Sequence, residues 1–540
     1  MFQSNSIQLL VLTATSLCSA RSLYDLTRHI PHSNPSCILW ETADPGPGVE
    51  HHEVGNSSIW PYQIFKSAPF NPPVWDINTT GEPLAPGLLF VTPTIHGSDS
   101  TVEQPAQIYT DEGQLVWFGP NVTANNFKWQ LFDGEPTLSY WSGVSSNGVN
   151  TGHGYGNVTL LDTSYNVKHV VCPNFNLTIP GNETHDCQAD LHESYLTDRK
   201  TLIITAYNAT QPDLTAMNGT ADGWVFDCLF FEIDPKTNEI LFRWSALEHV
   251  PTTDSHEPLG QNGNASVPYD WFHINSVVNM GDHYLVNSRH TWTIYYLNST
   301  GDIDWRFAGD TGGDFGALPE EGTFRWQHHP RAHNVTESTF DLSLFNNNNQ
   351  ALDNSSSHPT NTLVYRLPVQ PGDGSAAPEL LRRLTNEPEL FADSQGSYTP
   401  DLSNGNQLAT FGQLPLIKEY GPDGEVRWTG RAGADAESQI YRGFKEEWHA
   451  TPSSTSPSLV VLPNGSEKGG YQGYVSWNGA TDICAWNVYV AGRRGGLRKV
   501  GEVGFRGFET RFEVPCWATT VQVGAIVDGV EVRRSDLVSV

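Results

Sequence analysis

Short apolar runs alternate with polar turns along the chain, and one composite pattern recurs. In "YTDEGQLVWFG", "FEIDPKTNEILFRW", "YYLNSTGDIDWRF" and "KEYGPDGEVRW" an apolar strand meets a Gly, Asp or Asn turn, and a second strand closes on a tryptophan. Those tryptophans are Trp117, Trp244, Trp305 and Trp428. Alternation on both sides of such a turn predicts a β-hairpin. Two degenerate copies, "VTLLDTSYNVKHVV" and "TLVYRLPVQPGDGSAAPELLRRL", fit between them. Successive hairpins mostly lie roughly 50–75 residues apart, the room a four-stranded blade with long loops fills. Six copies predict an all-β, six-bladed propeller over residues 68–451, with radial closure removing exposed sheet edges.

The pattern changes at "TPSSTSPS". This Ser, Thr and Pro run opens a linker over 452–470. Beyond it, "YVSWNGATDICAWNVYVAG", "FETRFEV" and "TTVQVGAIVDGVEVRRSDLV" alternate as strands and predict a small fibronectin type III-like β-sandwich over 471–540, a spacer or accessory domain. Residues 21–67 are read as a segment packing on the propeller.

At the other end, "MFQSNSIQLLVLTATSLCSA" has a short apolar core and a small-x-small ending, the form of a secretory signal over residues 1–20. No later stretch reaches the ~18 apolar residues of a membrane span, and no hydrophobic tail closes the chain, so no membrane anchor is expected. Thirteen glycosylation sequons support secretion: Asn56, Asn78, Asn121, Asn157, Asn176, Asn182, Asn208, Asn218, Asn264, Asn298, Asn334, Asn354 and Asn464. Cysteine parity agrees. Without Cys18, six remain, and an oxidising compartment lets them all pair. Cys484 with Cys516 is the expected C-terminal pair, while Cys37, Cys172, Cys187 and Cys228 have no readable connectivity. No CxxC pair suggests zinc.

Charge narrows the partners. Sixty Asp and Glu against 30 Lys and Arg make nucleic acid and anionic membrane poor partners for the surface as a whole. A monomer acting on a small molecule is expected. Against that acidic background, histidines and arginines flank the most apolar strands. "ADLHESYLT" holds His192, "DWFHINSV" holds His273, "VNSRHTWTI" holds Arg289 and His290, and "FRWQHHPRAH" holds His328, His329, Arg331 and His333. "GHGYGNVTLL" adds His153 and Tyr155. A lone histidine between strands is usually a satisfied core residue. Four blades each bringing a His or Arg to one axis predict more: a local cationic pocket for sulfate, phosphate or carboxylate, with an imidazole available as nucleophile. The arginine disfavours a metal among the imidazoles, so neither metal nor cofactor is expected.

The same segments, with "DGWVFDCLFFEIDPKTNEILFRWSALEHV" and "DLSNGNQLATFG", resemble the arylsulfotransferase family, in particular its fungal branch, from "PGLLFVTPTIHGS" to "YRGFKEEWHATPSS". The resemblance implies a six-bladed propeller that moves a sulfuryl group between aryl sulfates and phenols through a sulfated histidine, without an adenylylated sulfate cofactor. It implies catalytic roles for His192, His273 and Arg289, and the nucleophile at His328. His329 is the alternative nucleophile. His290, His329, Arg331, His153 and Tyr155 are expected to bind substrate. The family's "QHDAR" reads "QHHPR" here, and its "FDN" reads "FNN" at residues 345–347. Two other readings stand beside sulfuryl transfer. One is a tailoring enzyme, for example a cyclase of an aromatic or terpenoid natural product, using the same pocket for acid–base work. The other is a non-enzymatic secreted binder.

Overall fold

The computed structural model describes residues 48–50, 53–54, 57–58, 60–95, 105–145, 152–350, 358–371, 377–435, 437–465 and 470–540. The signal-like segment 1–20, Cys37, Asn56 and Asn354 lie outside them. The chain is all-β, its only described helices being 3₁₀ turns of three residues. Among the described residues, no helix is long and apolar enough to cross a membrane.

Two compact units are present, one of residues 48–64 and 70–454, the other including 65–69 and 455–540. In the larger unit, sequence-adjacent strands pair antiparallel into four-stranded sheets. Ala124–Phe132, Glu135–Ser145, Gly154–Leu161 and Val167–Val171 form one; Ser194–Leu196, Leu202–Thr210, Val225–Ile233 and Ile240–Ser245 form the next. Ile274–Met280 to Ile303–Ala308 and His328–His333 to Glu379–Leu384 repeat the plan, and Ser397–Thr399 to Val426–Arg431 gains Asp76–Thr79 as a fifth strand. The last sheet is sewn from both ends of the unit, with Ser438–Glu446 pairing against Leu88–Ile95. Serial four-stranded antiparallel sheets are consistent with propeller-like folds.

The recurring hairpins are the third and fourth strands of these sheets, and Trp117, Trp244, Trp305 and Trp428 stand in four different ones. All four indoles are buried. Trp244, for example, donates its indole N–H to the Gly301 carbonyl of the neighbouring sheet at 3.0 Å. In the smaller unit, Ser458–Pro463, Tyr471–Ser476 and Glu509–Val514 form one sheet, and Ala485–Ala491 is central to a second. Val475 and Phe512 of the first share one apolar cluster with Trp486, Val488 and Val521 of the second.

Cys172 and Cys187 are disulfide-bonded to each other, and Cys484 and Cys516 are each disulfide-bonded. Cys228 departs from the expected six-cysteine set. It is a free thiol, fully buried in Val225–Ile233, where packing rather than a bridge holds it. Where the side chain is described, no sequon asparagine is buried: Asn78, Asn121, Asn176, Asn218, Asn264, Asn334 and Asn464 are exposed, and Asn157, Asn208 and Asn298 are half-buried.

Candidate functional site

The candidate chemistry sits where the first strands of several sheets in the larger unit begin. His192 and His273 occupy equivalent places, just before Ser194–Leu196 and Ile274–Met280. Each is preceded by an aspartate that fixes its ring. His192 Nδ1–H donates to Asp190 Oδ2 at 2.7 Å, and His273 Nδ1–H donates to Asp270 Oδ2 at 2.5 Å. A carboxylate only accepts, so in both rings Nδ1 carries the proton and Nε2 is left for other partners. His273 adopts φ +53°, a left-handed conformation that costs a non-glycine residue energy and is held by its surroundings.

Backbone bonds deliver these side chains to one place. Ala189 exchanges two hydrogen bonds with Gly156, which sets the Asp190–His192 turn against the strand behind "GHGYGN". A Cβ at Gly156 would stand 2.2 Å from the Ser142 carbonyl, so this approach requires glycine. Arg289 N–H bonds to the His273 carbonyl at 3.0 Å, and His290 N–H to Phe272 at 3.2 Å. The rings therefore cluster. Centroids are 4.9 Å apart for His192–His273, 5.6 Å for His153–His273, 5.9 Å for His153–His192 and 4.8 Å for His273–His290.

Arg289 is buried beside them. Its Nη1 donates to His290 Nε2 at 2.8 Å and its Nη2 to the Asp393 carbonyl at 2.9 Å. Its guanidinium lies 5.0 Å from the Trp326 ring, and its Nε has no partner among the described residues. Trp292 meets Trp326 edge-on at 5.2 Å and carries His256 stacked at 3.6 Å, so an aromatic wall flanks the arginine.

The "QHHPR" stretch divides in two at a β-bulge between His328 and Arg331. His328 interacts electrostatically with Arg289 and His192, and its Nδ1–H donates to Asn347 Oδ1 at 2.6 Å. The Asn347 amide is oriented by two carbonyls, since its Nδ2 donates to Ala392 and Gln395. His328 Nε2 therefore holds the lone pair. His329 is the reverse: its Nδ1 accepts the Tyr398 N–H at 3.4 Å, which leaves the proton on Nε2.

Arg331 is not among the clustered rings. It joins a buried charge centre with Glu193, Lys128 and Arg442. Glu193 Oε1 accepts from Lys128 at 2.9 Å and Arg442 at 3.2 Å, and Oε2 from Arg331 at 2.8 Å. Those three cations hold the Glu193 carboxyl well below its ordinary range, although burial opposes them. Burial brings the Lys128 ammonium down to about 7, against the pull of Glu193. Tyr155 also stands apart, stacked on His185 at 4.9 Å.

Burial works against charge on several imidazoles of the expected cationic pocket. Burial holds His273, His290 and His328 well below the usual imidazole range and brings His153 to about 4. Their rings are neutral, and two buried carboxylates, Asp190 and Asp270, stand among them. Sequence reading missed both, although "DLH" and "DWFH" each show an acid two or three residues before the histidine. Asn347 appears in sequence only as the last residue of "FNN", with no role assigned, and Glu257, a half-buried carboxyl within electrostatic reach of Arg289 that burial raises to about 7, was missed.

A β-sheet protein with buried, carboxylate-oriented imidazoles beside one arginine is equipped for group or proton transfer on a small molecule. A sequence model of the family described as arylsulfotransferase (ASST) matches residues 128–433, more than half of the 540. The chain belongs to the arylsulfotransferase family, whose enzymes transfer sulfuryl groups and whose substrates are small aromatic molecules. No curated protein matches it. Among solved structures, a Bacteroides caccae protein of unknown function is 10% identical, covering 67% of this chain and 99% of its own at a TM-score of 0.36. The GH43 protein BlXynB of Bacillus licheniformis is 9% identical, over 77% and 89%, at 0.26. An α-L-arabinofuranosidase of Fusarium graminearum is 8% identical, over 73% and 93%, at 0.29.

Proposed function

We propose that this protein is a secreted arylsulfotransferase of the family's fungal branch, built as a six-bladed propeller with a C-terminal sandwich, and that it works through a sulfated His328. One observation carries the mechanism: His328, within electrostatic reach of Arg289 and His192, keeps an unprotonated Nε2 because its Nδ1–H donates to Asn347 Oδ1. The six-bladed reading is supported by hydrogen bonds linking first strands across sheets, such as Lys128 to Glu193 and Arg442 to the Asn275 carbonyl. Exposed sequons and a disulfide support the secretory route.

In the first step the His328 Nε2 lone pair forms the N–S bond as the aryl O–S bond breaks, and the phenolate leaves. The imidazole becomes positive, so its bond to Asn347 strengthens as charge develops. Arg289, which keeps its charge at any working pH, faces the sulfuryl oxygens with its unpartnered Nε. The wall of Trp326 and Trp292 suits the aryl ring. In the second step an acceptor phenol attacks sulfur, releasing His328, and loses its proton to Glu257 or to an oriented imidazole.

The test is transfer from 4-nitrophenyl sulfate to a phenol, with the sulfated peptide located by mass spectrometry. Label on His328, lost in His328→Ala, is the expected result. Absence of any sulfated histidine in the wild type rejects the proposal. The two Asp–His pairs favour a second reading in that event, acid–base tailoring of an aromatic or terpenoid substrate.

A further inference from the structure

Asp190 and Asp270 hold their histidines alike but differ in how fully they are used. Asp190 is saturated. Oδ1 accepts from the Gly154 N–H at 3.1 Å, and Oδ2 accepts from the His192 N–H, His192 Nδ1 and Thr205 Oγ1, at 2.9, 2.7 and 3.0 Å. Asp270 Oδ2 has His273, and its Oδ1 is buried with no hydrogen-bond partner among the described residues. His153 is stranded beside it. Among the described residues neither of its buried ring nitrogens has a hydrogen bond, and Nε2 stands 3.5 Å from Asp270 Oδ2. Asp270 and His153 are thus close and each keeps a buried polar atom without a hydrogen bond among the described residues, an unfavourable state that a cation held by both relieves.

The geometry points to a divalent transition-metal site formed by His153, Asp270 and His273. One ligand atom from each lies within 4.8 Å of the others, and all three residues are buried. Metal–ligand bonds of ~2.0–2.2 Å set neighbouring ligand atoms about 3.4 Å apart around a tetrahedral ion, close to the 3.5 Å between His153 Nε2 and Asp270 Oδ2. To bind, His273 releases its Nδ1 proton to solvent as the ion takes its place, and the Nδ1–Asp270 Oδ2 spacing of 2.5 Å opens by about 1 Å. Two imidazoles and one carboxylate select zinc, cobalt, iron or manganese over calcium and magnesium, and leave a coordination position for water or a substrate oxygen. Asp190 and His192 also approach His153, but Asp190 has no free oxygen and serves to orient His192. Arg289 bonds to His290, whose ring stands 4.8 Å from that of His273, so a cation able to pair with an anionic ligand is near the site.

The test is a Co²⁺ titration of the full, chelator-stripped glycoprotein, read by visible d–d absorption and by isothermal calorimetry. One equivalent per chain is expected, displaced by Zn²⁺ and not by Ca²⁺. His153→Gln and Asp270→Asn are each expected to weaken Co²⁺ binding at least ~10-fold. The control His185→Gln, at the Tyr155 stack, is expected to leave it unchanged. Thermal unfolding confirms that each variant is folded. If both variants fail to fold, anomalous scattering from Co²⁺-soaked wild-type crystals decides: a peak between His153 and Asp270 sustains the site, and a peak elsewhere or none overturns it. Absence of a Co²⁺ spectrum in the stripped wild type also overturns it. Histidine sulfation is scored on the same stripped and loaded samples. Metal binding without sulfation retires the sulfotransferase reading and leaves this site standing; sulfation without metal binding does the opposite.

Discussion

Asn347→Leu removes the group that fixes the His328 tautomer while keeping the volume. The wild-type bond is short, 2.6 Å, and buried, and its acceptor is pinned by two carbonyls. In the ground state it is a neutral hydrogen bond worth about 1 kcal/mol; once His328 carries the sulfuryl group it becomes charge-assisted, worth about 1.5–3 kcal/mol. The difference, about 0.5–2 kcal/mol, is stabilisation present only as charge develops. Losing tautomer control adds up to about 1 kcal/mol, since a ring with the proton on Nε2 cannot attack. With the tautomer contribution near its full value the total is about 1.5–3 kcal/mol, which predicts labelling of His328 by 4-nitrophenyl sulfate slowed roughly 10- to 150-fold. The fall is expected in the labelling rate at saturation, with KM little changed. The variant also orphans the Gln395 carbonyl, a stability loss of about 1–3 kcal/mol, so urea unfolding accompanies the rapid-quench assay. Asn347→Asp keeps the acceptor and is expected to recover much of the rate while losing stability, because its second oxygen faces the same carbonyls. A folded Asn347→Leu protein that labels within about threefold of wild type refutes the tautomer mechanism.

Three further outcomes are expected. Replacing Arg289 with Ala slows transfer at least ~100-fold at saturating donor, measured by 4-nitrophenolate release. Glu193→Gln leaves Lys128, Arg331 and Arg442 buried with their shared anion gone; denaturant titration is expected to show a loss of about 3–5 kcal/mol, and an unchanged midpoint contradicts the charge-centre account. Stability falls on acidification below about pH 6.5, the unfolded-state value for His. The imidazoles of His153, His273, His290, His328 and His329 are held lower in the folded state, so the unfolded chain binds more protons in that window. Each contributes up to about 1.4 kcal/mol per pH unit, complete above pH 6.5 and lost as pH falls toward the folded values, about 4 for His153. Unfolding midpoints measured between pH 7.5 and 4.5 check it, and a flat profile contradicts buried neutral imidazoles.

Local pattern determined the strands. Two-residue periodicity and turn chemistry act over a few residues, so the hairpins ending at Trp117, Trp244, Trp305 and Trp428 could be read off the chain, with their place in separate sheets. The histidines at strand openings were legible for the same reason, because the end of an apolar run is a local signal. Tertiary structure decided what those histidines are. Their neutrality comes from burial, which depends on which strands pack over them, and Asn347 meets His328 only because Thr339–Asn346 pairs back on His328–His333. Arg331 is expected from sequence to bind substrate, yet beyond the bulge that follows His328 it pairs with Glu193, 138 residues away. Cys228 counts toward an even set on paper and is a lone thiol in a packed strand, because disulfides require two Cβ atoms to meet and parity does not bring them together. The difference between Asp190, with its four donors, and Asp270, with one free oxygen, rests on contacts from Gly154 and Thr205, which lie on other strands. Such long-range partners are set by sheet order, and no period along the chain encodes them.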